Sequence, residues 1–71
     1  MKVVVKRQKL AELMETYFSG NYNRFARELD VDPSHLHRFI NSGIGGGKKI
    51  VGATIRFCKS NGLNYEEYIE I

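Results

Sequence analysis

Apolar residues recur every three or four positions through most of this chain, the spacing that puts them on one face of a helix. From Lys6 to Phe18 the inward set is Leu10, Leu13, Met14, Tyr17 and Phe18, opposite Gln8, Glu12 and Glu15. Those aromatic residues and Met14 read as core, and Ser19-Gly20 ends the helix. Phe25, Ala26 and Leu29 mark a second helix over Tyr22 to Leu29, with Asn21 placed to cap it. Asp30-Val31-Asp32-Pro33 then breaks the pattern. Pro33 lacks an amide hydrogen and disfavours helical geometry at Asp32, yet it suits the first position of a new helix capped by Asp32. One helix stops and another starts at once.

On a wheel of Pro33 to Ser42, Leu36, Phe39 and Ile40 share one arc. Ser34, Arg38 and Asn41 centre on the opposite arc, flanked by His37 on one side and by His35 with Ser42 on the other. A polar outer face is common to most surface helices. The neighbouring residues add to it here, because Ala26 is small where two steeply crossed helices must approach closely and Val31 plugs the turn between them.

Farther on, Ser42 to Gly47 is a glycine-rich loop, either mobile or tightly turned, and Lys48 or Lys49 opens another helix. That helix buries Ile50, Ala53, Thr54, Phe57 and Cys58, exposes Arg56 and Lys59, and ends at Asn61-Gly62. Asn64 is placed to cap a short turn through Glu66 and Glu67. Lys2 to Val5 and Tyr68 to Ile71 alternate like strands, so the two termini are expected to pair as a short two-stranded ribbon.

Residues Phe25-Ala26, Asp30, Val31, Asp32, Leu36 and Phe39 follow the order Leu-Ala, three residues, Gly, Val, Ser, several residues, Ile. In this the chain resembles the lambda-repressor-like (Cro/repressor, Xre-type) helix-turn-helix family. The likeness runs from about Lys6 to Ile71, with its sharp part in the second and third helices. Asp30 stands where the family has a left-handed glycine, a geometry Asp tolerates better than most residues. The resemblance implies a mainly α, compact four- to five-helix domain with the ribbon of the termini as an addition. It also implies a small transcriptional regulator, such as a repressor, of a phage, prophage or mobile element, acting as a homodimer on a two-fold-symmetric DNA site.

Composition narrows the alternatives. The 71 residues are expected to make one small domain, 1–71, with a single core, no cleft between domains and no ligand-sensing unit. With 42% hydrophobic residues, four Phe and four Tyr, the chain should fold without staples. One cysteine excludes an internal disulfide, and Cys58 sits in an apolar helical pattern, as a buried thiol of a reducing cytoplasm would. No apolar run approaches a membrane span, and Val3-Val4-Val5 is too brief for a signal-peptide core, so a cytoplasmic protein without a membrane partner is expected.

The net charge is only +3, but its distribution is uneven. From Pro33 through Tyr65 there is no Asp or Glu, while Arg38, Lys48, Lys49, Arg56 and Lys59 all lie there. Chance clustering in a short chain is one explanation; a docking place for an anionic partner is the other. The glycine run does not spell a P-loop, since Ser42 stands at the first glycine position and Lys49 follows Gly47-Lys48. The dinucleotide fingerprint fails too, with Lys48 at its last glycine. His35 and His37 point in different directions on their helix, and no further His or Cys supplies a metal-ligand spacing. Neither an enzyme, a metal site, a cofactor nor a small-molecule ligand is expected.

The expected function is sequence-specific binding of double-stranded DNA, with the helix 33–41 in the major groove. Ser34, His35, His37, Arg38 and Asn41 are the expected base readers, Arg38 through a bidentate contact to guanine and Asn41 through one to adenine. Asn21, Tyr22, Ser42, Gly46, Gly47, Lys48 and Lys49 are the expected phosphate contacts, although a flexible loop with solvated lysines explains Gly45 to Gly47 equally well. A protein-interaction adaptor, or an antitoxin that keeps the same fold, is the alternative.

Overall fold

The structure, a computed structural model, describes residues 3–44 and 46–70. Four α-helices carry it: α1 (Arg7–Phe18), α2 (Tyr22–Leu29), α3 (Pro33–Ser42) and α4 (Lys48–Ser60). Strands β1 (Val4–Val5) and β2 (Ile69–Glu70) pair antiparallel, Val4 opposite Glu70 and Val5 opposite Ile69. The ribbon thus lies where the alternation of the termini places it, though Lys2 and Ile71 fall outside the described residues. A turn of 3-10 helix at Tyr65–Glu67 precedes β2, capped by Asn64, whose Oδ1 accepts from the Glu66 amide at 3.1 Å.

The helix boundaries have local causes. Asn21 Oδ1 accepts from the Arg24 amide at 3.1 Å, and Asp32 Oδ1 accepts from the Ser34 amide at 2.8 Å with Pro33 in the first helical position. Between those caps Asp30 takes a left-handed conformation, φ 60°, and the Val31 amide donates back to the Ala26 carbonyl at 3.0 Å. Asp30 thus takes the left-handed geometry expected at its position. Gly43 closes α3 the same way, with φ 78° and its amide on the Phe39 carbonyl at 2.8 Å.

A single core joins the four helices and the two strands. Leu10, Phe25, Ala26, Leu36, Ile50 and Cys58 are wholly buried, and Thr54 beside them donates its hydroxyl to the Ile50 carbonyl at 2.8 Å. Phe25 from α2 stacks on Phe18 at 5.0 Å between ring centres and meets Phe57 of α4 edge-on at 5.7 Å. Val31 is buried in the turn, as a plug would be, and Ile40 is half-buried at the edge of the α3 contact. None of the helices, among the described residues, is long and apolar enough to cross a membrane.

Tyr17 corrects the expected core. It is 58% exposed, although its wheel position lies within the apolar arc of α1. At the last turn of α1 the space beneath the helix is filled by Phe18 against Phe25 and Phe57, which leaves Tyr17 at the rim. Ser42 belongs to α3 rather than to the loop that follows.

The loop between α3 and α4 is shaped by contact with the core. A Cβ on Gly46 would overlap the ring of buried Phe39, whereas one on Gly47 would meet open space. Gly47 is the N-cap of α4 and supplies no side-chain hydrogen bond there. Gly46→Ala should therefore lower stability by roughly 1–3 kcal/mol through forced displacement of Phe39. Gly47→Ser should be at least as stable as the parent chain, because its hydroxyl can cap α4. Urea denaturation of the two variants checks both, and equal midpoints would mean that the loop is not packed on Phe39.

Candidate functional site

The outward face of α3 and the first turn of α2 enclose an open groove of about 630 Å³, lined by Tyr22, Asn23, Pro33, Ser34, His37, Arg38, Asn41 and Ser42. The short turn makes this possible. Capping by Asn21 and Asp32 fixes where the two helices begin, and burial of Phe25, Leu29, Leu36 and Phe39 fixes which sides face each other. What remains outward on α3 is the polar arc.

Four of the five expected base readers line this groove: Ser34, His37, Arg38 and Asn41, all exposed. His35 does not. It is half-buried and lies on the flank of α3, off the groove, as its position about a quarter-turn from the centre of the polar arc dictates. No carboxylate lines the groove, and among the described residues none pairs with Arg38. The nearest acid in sequence is Asp32, with one carboxylate oxygen committed to the Ser34 amide.

Hydrogen bonds within the protein limit what the polar groups can offer. Asn41 Nδ2 donates to the His37 carbonyl at 2.8 Å and to the Tyr22 hydroxyl oxygen at 3.0 Å. A carbonyl accepts only, so the atom beside it is the amide nitrogen, and both of its hydrogens are taken. The expected bidentate contact of Asn41 to adenine needs one of those hydrogens, so in this conformation it cannot form. Ser42 Oγ likewise donates to the Arg38 carbonyl at 2.6 Å, so its proton is not available to a phosphate without breaking that bond. Tyr22 also packs against the His37 ring, with centres 4.8 Å apart.

The expected phosphate contacts divide between two places. Asn21 and Tyr22 stand at the start of α2, where Tyr22 lines the groove and exposed Asn21 uses its Oδ1 as the helix cap. Gly46 and Gly47 instead line a second hollow of about 430 Å³ with Val4, Val5, Arg7, Phe39 and Gly43. Lys48 and Lys49 are exposed in the first turn of α4, and neither lines either hollow. Gly45 lies outside the described residues.

Asn23 and Pro33 in the groove, and Arg7 in the second hollow, were not among the expected site residues. Asn23 and Pro33 enter the groove because α2 and α3 begin side by side, and Pro33 was legible only as a helix starter. Arg7 reaches the loop after α3 from the start of α1, with its guanidinium 3.2 Å from where a Gly43 Cβ would stand. No local pattern links residues so far apart in the chain.

Other chemistry finds little to build on. Among the described residues no three His, Cys, Asp or Glu side chains gather to hold a metal ion. Cys58 is wholly buried, and burial first, then the nearby Glu67 charge, pushes its thiol above the ordinary range, which disfavours the thiolate a nucleophile needs. Comparison with protein-family models, curated proteins and solved structures gives no match.

Because folding raises the Cys58 pKa, its contribution to stability is complete below the ordinary thiol range of the unfolded chain and is lost as pH rises through the higher folded-state value. At pH 8 the native thiol should react with a disulfide reagent slower than the urea-unfolded chain by roughly tenfold or more. Equal rates would place Cys58 at the surface.

Proposed function

We propose that this chain is a sequence-specific double-stranded DNA-binding protein of the lambda-repressor-like helix-turn-helix kind, acting as a small transcriptional regulator in the cytoplasm and as a homodimer on DNA. The observation that carries the reading is the outward face of α3. Ser34, His37, Arg38 and Asn41 project from it into an open groove free of carboxylates, on a helix begun by the Asp32 cap and held against α2 by buried Phe25, Leu29, Leu36 and Phe39 and by Val31 in the turn.

The dimensions suit the partner. Ten residues of helix run roughly 15 Å, about four base-pair steps, and the major groove of B-form DNA, about 12 Å wide, admits a helix. In this reading Arg38 donates to guanine O6 and N7 through its guanidinium fork, and Ser34 and His37 contact neighbouring base edges. The Asn21 amide nitrogen and the start of α2 hold a phosphate beside the groove, which sets the register. Lys48 and Lys49, on the acid-free half of the chain, add charge that favours any DNA sequence.

Selection from random-sequence DNA tests the proposal. Enrichment of a two-fold-symmetric motif is expected, and no enrichment across low-salt conditions would point instead to an adaptor or antitoxin that uses the same face on a protein. Arg38→Ala should weaken specific binding by roughly 1–3 kcal/mol and relax preference at one base pair while leaving the melting temperature nearly unchanged. A selected motif identical to that of the parent at every position would remove Arg38 from base reading. Neutralising Lys48 or Lys49 should weaken all sequences alike and lower the salt slope by about one unit. An unchanged slope in both single variants would make them solvated surface lysines.

A further inference from the structure

We propose that Tyr22 is a specificity-determining positioning residue: by accepting from the Asn41 amide it turns Asn41 into an acceptor-only reader, which selects a base bearing an amino group on its major-groove edge. This rests on the DNA-binding reading above and adds to it the class of base that Asn41 takes.

The geometry supplies each step. Asn41 Nδ2 carries two hydrogens, and its two partners, the His37 carbonyl at 2.8 Å and the Tyr22 hydroxyl oxygen at 3.0 Å, use both. Asn41 Oδ1 receives no hydrogen bond from a described residue, and Asn41 lines the open groove. The group presented to a ligand is therefore an acceptor. Cytosine offers N4–H₂ and adenine N6–H₂ in the major groove, while guanine offers O6 and N7 and thymine O4, all acceptors. An acceptor-only Asn41 favours cytosine or adenine and is opposed by guanine or thymine at the same position.

Tyr22 is itself held in place. Its ring lies 4.8 Å from that of His37 and is partly buried against the core, which favours the placement of its hydroxyl beside Asn41. The bond spans α2 and α3, residues nineteen apart in sequence, and so ties the reading of a base to the relative placement of the two helices. The role differs from a phosphate contact in a way that can be measured. Losing a phosphate contact weakens every sequence alike, whereas losing a positioning contact changes preference at one position.

Random-sequence selection with the whole chain is carried out on the parent protein, Tyr22→Phe, Asn41→Ala and the double variant, each first shown to be folded by thermal melting. The parent should prefer cytosine or adenine at the position that Asn41→Ala relaxes. Tyr22→Phe keeps the ring but removes the acceptor, and should reduce that preference by roughly five-fold, the worth of one hydrogen bond. The double variant should match Asn41→Ala at that position. In the free protein, the Asn41 side-chain amide protons should exchange faster with solvent in Tyr22→Phe than in the parent. A parent motif that Tyr22→Phe leaves unchanged, or weakens uniformly, would overturn this inference alone, as would a preference for guanine or thymine where Asn41 reads. A parent protein that selects no motif would overturn the DNA-binding reading and this inference with it, and the amide exchange would still show whether the Tyr22–Asn41 bond exists.

Discussion

The burial of Phe25 is the constraint on which the rest depends. Its ring is wholly enclosed, stacked on Phe18 and met edge-on by Phe57, so one side chain of α2 touches aromatic rings from α1 and α4. A helix of eight residues is marginal on its own in water, and packing supplies what hydrogen bonding within it does not. With α2 pinned in this way, the turn from Asp30 to Asp32 can deliver α3 in one orientation, with Leu36 and Phe39 inward. The polar arc of α3 is outward because no other rotation would bury those two residues.

Most of this is legible in the chain itself. The caps Asn21, Asp32 and Asn64, the left-handed Asp30, the turn at Pro33 and the antiparallel pairing of the termini all follow from properties of the residue and its immediate neighbours. Tyr17 was misplaced because a helical wheel assumes the core continues along the whole helix. At the end of α1 it is already filled by three phenylalanines. Gly46 shows the opposite case: its neighbours suggest a loose loop, and only the distant Phe39 ring explains why a side chain is excluded.

The α3 side of the groove was largely legible in its residues, but not in its hydrogen bonding. Wheel geometry centres Ser34, Arg38 and Asn41, with His37 on one flank and His35 with Ser42 on the other; the groove takes in His37 and Ser42 and leaves out half-buried His35. The wheel says nothing about which donors are already spent. Asn41 and Ser42 both satisfy carbonyls one turn earlier in their own helix, a competition that short polar side chains near helix ends commonly enter. Polar residues on an exposed helix are thus a smaller set of free donors than their names suggest, and Arg38, with five N–H groups and no partner among the described carboxylates, keeps the most.

The β1–β2 ribbon bears on the order in which the chain assembles. Val4 meets Glu70, so this pairing closes a loop of almost the whole chain, while the contacts of α2 with α3 join elements that follow one another directly. Loop-closure entropy makes so distant a pairing unfavourable until the helices between have docked, and two residues per strand return little for it. The ribbon is then the last element to zip and the first to open, a latch on a domain whose α2–α3 unit is already in place.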